Sequence, residues 1–134
     1  MNHTLTTELY WMVLTLVMTA LFWLPYILNR IGELGVWTTL SIPQINPKAP
    51  WAERLMRAHA NAVENLAIFA PLVLAVQMTG MNTFATATAC MVYFYARLVH
   101  VVAYVAAVPV LRTVAFTVGF FCQMVLALTL LAYI

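Results

Sequence analysis

Four long apolar stretches, separated by short polar breaks, leave this 134-residue chain little choice of fold. They run over roughly residues 7–29, 54–79, 83–107 and 110–133, each close to the about 20 residues that an α-helix needs to cross a bilayer. Hydrocarbon offers no water to unpaired backbone groups, so each stretch is read as a helix. Composition agrees, with 65% hydrophobic and 7% charged residues, where soluble domains carry about 45–50% and 25%. The expected fold is an all-α membrane protein, one domain over residues 1–134, with four transmembrane helices in an up-down bundle because the links are short. With a net charge of +2 and no basic patch, no nucleic-acid partner is expected.

The first stretch is not read as a secretory signal. It carries Glu8 at its start, lacks a basic region before it and is long and rich in Trp. The segment Thr38–Pro50 contains Pro43, Pro47 and Pro50 and is expected to be the one substantial loop. Pro50 then suits a first helical turn, and Glu53 complements the dipole there. Pro25 and Pro71 should bend the first and second helices. Arg30, Lys48 and Arg54 flank the first loop and Arg112 the third, whereas the second loop and both termini have neither Lys nor Arg. The positive-inside rule therefore puts loops one and three in the cytoplasm and both termini outside it. Trp37 and Trp51 suit an interfacial position, and a bacterial inner membrane is the expected location.

Only six basic and four acidic residues exist, and Glu53, Arg54, Arg57 and Glu64 fall within one short run of the second span. A charge inside a membrane costs roughly 2.5–3.5 kcal/mol on insertion scales, which marks it as functional by default. At 100° per residue, Arg57, Asn61 and Glu64 lie within about 60° of one another. Arg97, His100 and Tyr104 form a matching stripe on the third span, so the two polar faces can meet. A buried network in which Glu64 takes Arg97 accounts for part of this pattern. It leaves arginine in excess, and surplus positive charge in a cavity suits an anionic ligand.

His59 projects away from that stripe, either into a contact with another helix or across a subunit boundary. His3 lies near a terminus, and the histidines have no acidic or cysteine partners at ligand spacing, so no metal site is expected. Cys90 and Cys122 read as small core residues rather than a disulfide. Arg112, just past Pro109, is either an interfacial anchor or a fixed cation for an anion arriving from the cytoplasm, with Thr113 beside it as a neutral donor.

The run Glu53-Arg54-Leu55-Met56-Arg57-Ala58-His59-Ala60-Asn61-Ala62-Val63-Glu64-Asn65-Leu66-Ala67-Ile68-Phe69, with Ala96-Arg97-Leu98-Val99-His100-Val101-Val102-Ala103-Tyr104 further along, resembles the MAPEG family, the membrane-associated proteins in eicosanoid and glutathione metabolism. The resemblance covers nearly the whole chain. It implies a homotrimer of four-helix bundles that binds glutathione between neighbouring subunits, in a site open to the cytoplasm. Carried over by motif, Arg57, His59, Asn61, Glu64, Arg97, His100 and Tyr104 would contact glutathione, with Arg30 a candidate for one of its carboxylates. Arg112 matches the arginine that faces the glutathione sulfur, and Thr113 stands where some members carry a hydroxyl.

Ala60 replaces an arginine found in some relatives, and Asn65 and Phe116 stand where some have tyrosine. These departures imply generic glutathione chemistry rather than eicosanoid-specific chemistry. A free thiol has a pKa of about 8.5, so lowering it by about two units requires roughly 2.7 kcal/mol of preferential stabilisation of the thiolate. One desolvated guanidinium can supply that. The expected function is a membrane glutathione transferase, with glutathione peroxidase activity as a variant, acting on lipophilic second substrates that arrive from the bilayer. The alternative is a trimeric scaffold or accessory subunit that keeps the fold without turnover. A channel or transporter would need a water-filled path, which these polar groups do not outline.

Overall fold

The computed structural model describes residues 4–41 and 49–132. His3, Lys48, Pro43 and Pro47 lie outside the described residues. Among the described residues six helices occur, in the order α1 (Thr7–Leu21), α2 (Trp23–Leu34), α3 (Val36–Ser41), α4 (Pro50–Thr79), α5 (Phe84–Val105) and α6 (Pro109–Ala132). Four runs among them are long and apolar enough to cross a membrane: Thr7–Leu34, Pro50–Thr79, Phe84–Val105 and Pro109–Ala132. The chain is an integral membrane protein built as a four-helix bundle.

The first span differs from expectation in two respects. It runs on to Leu34, and it breaks at Phe22, three residues ahead of Pro25, instead of simply bending. Pro25 has no N–H for the carbonyl of Leu21, and the chain answers with a tighter bond from Phe22 N–H to the Thr19 carbonyl at 3.3 Å. The expected loop also gives way in part. Thr38–Ser41 are helical as the end of α3, which Gly35 makes room for by turning at φ 81°. Helix α4 stays continuous through Pro71.

The ends of the spans are fastened by polar side chains. Thr6 caps α1 by accepting from Leu9 N–H, and the Glu33 carboxylate accepts the Ala49 N–H at 3.0 Å ahead of α4. Gly80 closes α4 in the left-handed region at φ 68°, and Thr83 opens α5 with a reciprocal capping box to Thr86. Thr6 donates to Gln77 Oε1 at 2.7 Å, tying the start of α1 to the end of α4.

Helices α4 and α5 form the central pair. Helix α1 packs on both from one side and α6 on both from the other, and among the described residues α1 and α6 do not meet. Toward the Thr83 end the centre is dry. Met12, Phe69, Val73, Val76, Cys90, Tyr93, Cys122 and Leu126 fill it, with Phe69 stacked on Tyr93 at 3.8 Å between ring centroids. Cys90 and Cys122 are free thiols in this core. Toward the other end a smaller cluster of Leu55, Ala58 and Val101 packs with Phe22, Tyr26, Tyr104 and Val105. The polar residues of α4 and α5 lie between the two clusters along the chain.

Candidate functional site

Arg97 lies at the centre of the polar layer. Its position on α5 turns it toward α4 and α6, and it is only 2% exposed. Its terminal nitrogen donates to Asn61 Oδ1 at 2.6 Å, while its Nε is buried without a partner among the described residues. Asn65 donates to the Asn61 carbonyl at 2.9 Å, and Gln123 from α6 donates to the Asn65 carbonyl at 3.2 Å. Three helices are therefore linked through one polar relay. Gly119 gives α6 a close approach here, since a Cβ there would sit 3.6 Å from the Tyr93 ring and 3.8 Å from Arg97 Cδ.

His100, one turn further along α5, is also 2% exposed, and its Nδ1 is likewise buried without a partner among the described residues. Its ring meets Tyr104 edge-on at 5.8 Å and lies 6.2 Å from the ring of Phe116. The guanidinium carbon of Arg112 sits 4.7 Å above the Tyr104 ring. A cation at that distance is attracted to the aromatic face and held without neutralising its charge. Arg97, His100, Tyr104 and Arg112 thus form one connected wall, continued by Asn61. Burying the Arg97 guanidinium against an amide, with no carboxylate bonded to it among the described residues, leaves its charge uncompensated, a situation that costs stability unless an anion arrives.

The remaining candidates are placed differently. Arg57 and Glu64 are exposed on the surface of the chain, so the stripe is not inward within the bundle. Arg57 pairs with Glu53 one turn earlier at 2.8 Å, and Arg97 takes Asn61 rather than Glu64. The reason is rotational. The buried face of α4 carries Ala52, Leu55, Ala58, Ala62, Phe69, Val73 and Val76, and Arg57 and Glu64 point nearly opposite, with Asn61 at the edge between.

His59 is hydrogen-bonded through Nδ1 to the Tyr26 hydroxyl at 2.9 Å, a contact with α2. Arg30 is half-buried on α2, the helix that packs against α4. Thr113 is exposed and donates to the Pro109 carbonyl at 2.9 Å, so within one chain it does not join Arg112.

Several polar groups of the layer carry no sequence motif. Gln123 is the one amide in the fourth apolar stretch, which was the signal available for it. Asn65 is bonded through its amide nitrogen to Asn61 and through its carbonyl to Gln123, and the hydroxyl of buried Tyr93 lies beside Gln123 without a well-aligned hydrogen bond. At the opposite end Glu8 is 3% exposed and accepts from the Thr86 hydroxyl at 2.6 Å. Arg54 donates from Nε to the Val105 carbonyl at 2.9 Å.

An apolar groove of about 500 Å³ follows the outer seam of α5 and α6 past Ala89, Val92, Val118 and Cys122. It continues into another of about 280 Å³ that shares Val92 and Val118 and reaches Val99 and Leu111. This seam lies about 120° around α5 from Arg97 and His100, at 3.6 residues per turn. The grooves and the polar wall are separate features of the same helix.

No curated protein matches the chain. A family model does: that of the MAPEG family, over residues 8–132. Four spanning helices, with a polar layer shared by the second and third spans, carry the motif on which the resemblance rests. The chain belongs to the MAPEG family and is a membrane protein of glutathione-related or eicosanoid metabolism.

Proposed function

We propose that the protein is a membrane glutathione transferase that activates the thiol of glutathione for attack on lipophilic electrophiles. The observation that carries this reading is the buried guanidinium of Arg97, held by the neutral Asn61 and continued by His100, Tyr104 and Arg112, with no carboxylate among the described residues bonded to it. Glutathione brings carboxylates to such a wall, and charge-assisted hydrogen bonds to guanidinium are about twice as strong as neutral ones.

Arg57 and Glu64 support a homotrimer within this reading. Both are exposed on a face of a spanning helix, where each would cost roughly 2.5–3.5 kcal/mol against lipid. A neighbouring copy covering that face removes the cost and brings Arg57 and Glu64 to the edge of its own or the adjacent polar wall. Glutathione then lies between subunits, bound by Arg57, Asn61, Glu64, Arg97, His100 and Tyr104, with Arg30 from the first span and His59 from the face of α4 turned toward that span.

In the chemistry proposed, Arg112 faces the sulfur. The thiol proton leaves to water, the guanidinium stabilises the thiolate, and the sulfur lone pair forms a C–S bond with an electrophilic carbon as its leaving group departs with the bonding pair. With a lipid hydroperoxide the thiolate instead attacks the terminal peroxide oxygen. The O–O bond breaks, an alcohol leaves, and a second glutathione reduces the sulfenate to give disulfide and water. Lipophilic substrates reach the site from the bilayer.

A second reading is a trimeric accessory subunit without turnover. The closed relay from Arg97 through Asn61 and Asn65 to Gln123 favours it, because such a relay also locks helices in register. Conjugation of a chloro-nitroaromatic by the purified protein separates the two. Transferase activity that falls roughly 100-fold in Arg112→Ala supports the enzyme. Saturable glutathione binding with no turnover, unchanged by Arg112→Ala, establishes the accessory role.

A further inference from the structure

The last four carbonyls of a helix have no partner inside it. In α5 these belong to Val102, Ala103, Tyr104 and Val105, and the turn into α6 satisfies three of them. Ala106 N–H donates to Val102 at 2.9 Å, Val108 N–H to Ala103 at 2.9 Å and Ala107 N–H to Tyr104 at 3.2 Å. The fourth, on Val105, is met from another helix by Arg54 Nε at 2.9 Å. This closure is made with Ala107 at φ 59°, in the left-handed region that a residue with a Cβ occupies only when its surroundings hold it there.

The turn leads directly into the site. Pro109 opens α6, the Arg112 N–H bonds the Val108 carbonyl at 3.1 Å, and the Arg112 side chain returns over Tyr104, the residue that precedes Val105. The covalent path from Tyr104 to Arg112 therefore runs through the turn, which joins the packed pair α5 and α6 at this end. Arg54 differs from its neighbour in this respect: Arg57 pairs with Glu53 on the exposed face, whereas Arg54 reaches across to backbone. A cation at a helix C-terminus also meets the negative end of the helix dipole.

We propose that Arg54 is a positioning residue for Arg112: by fastening the Val105 carbonyl it holds the strained α5–α6 turn, and so sets where the Arg112 guanidinium stands relative to Tyr104 and His100. Arg54 touches no substrate in this role. The proposal rests on the reading of Arg112 as the group that faces the glutathione sulfur, and its test keeps the two apart.

Wild type, Arg54→Ala and Arg54→Lys are compared in lipid nanodiscs by three measurements. These are deuterium exchange over residues 104–112, equilibrium glutathione binding, and the ultraviolet absorbance of bound thiolate against pH. In Arg54→Ala the turn is expected to exchange at least about fivefold faster than in wild type. The thiolate titration moves up by about one pH unit, a tenfold loss of thiolate near neutrality. Glutathione affinity stays within about threefold, because the wall that binds it is intact, and Arg54→Lys, which keeps a cation able to reach the carbonyl, falls between the two.

A role in stability alone would leave the thiolate titration of the folded variant where it is in wild type, and that result overturns the proposal. So does unchanged exchange in the turn, whatever the thiolate does. If wild type binds glutathione but forms no thiolate, the transferase reading fails, and exchange in the turn still decides whether Arg54 holds it.

Discussion

The two halves of helix α5 are buried to similar degrees and for opposite reasons. From Ala89 to Tyr93, Cys90 included, it packs with Phe69, Val73, Cys122 and Leu126, and its burial is that of an ordinary dry core. From Arg97 to Tyr104 it carries a guanidinium and an imidazole just as deeply, with buried nitrogens left unpartnered among the described residues. The first half stabilises the bundle. The second half gives up some of that stability to a charge with no bonded carboxylate among those residues, a cost that the proposed anionic ligand would offset.

Substitutions should separate the halves. The largest effect expected is on binding: Arg97→Met lowers glutathione affinity by at least about 100-fold, since it removes charge-assisted bonds worth roughly 1.5–3 kcal/mol each. In the same variant unfolding stability in detergent stays level or rises, because a buried ion replaced by an apolar side chain of similar volume is often neutral or favourable. Phe69→Ala reverses the pattern. Losing the ring stacked on Tyr93 destabilises the bundle by about 3–5 kcal/mol, measured by denaturant unfolding, with glutathione affinity of the folded fraction little changed.

Asn61→Leu is intermediate and couples the halves. It strips Arg97 of its bonded acceptor, costing about 1–3 kcal/mol of stability, and weakens glutathione binding as well. A double-mutant cycle with Arg97→Met should show that the two losses of glutathione affinity are not additive. The smallest effect is expected at Gly119→Ala, where the added methyl meets the Tyr93 ring at ordinary contact distance and stability shifts by less than about 1 kcal/mol. A larger loss there would mean that the seam between dry core and polar wall is tighter than 3.6 Å allows.

Periodicity showed that the polar faces of α4 and α5 could meet, and they do, but it pointed to Glu64 as the partner of Arg97, where Asn61 stands instead. It did not reveal which way Arg57 and Glu64 point. Angles around a helix say which residues share a face, but not which face the rest of the bundle covers, and on α4 that is the face of Ala58, Ala62 and Phe69. Pro25 signals a bend in the first span without placing the break at Phe22, since the missing N–H is visible in sequence while the tightening that answers it depends on local backbone.

Helix α3 was hidden by the prolines beyond it. Glu8 and Arg54 were illegible for another reason: their partners, Thr86 and the Val105 carbonyl, lie 78 and 51 residues away and belong to no motif.

The claim that the polar half of α5 is a ligand site, rather than a lock between helices, is tested most directly by titrating glutathione into the purified wild-type protein and Arg97→Met by calorimetry in lipid nanodiscs. Saturable binding by wild type, lost in an Arg97→Met protein that remains folded, is the result expected. A folded wild type that takes up no glutathione, or an Arg97→Met variant that binds it as well as wild type, would contradict the account.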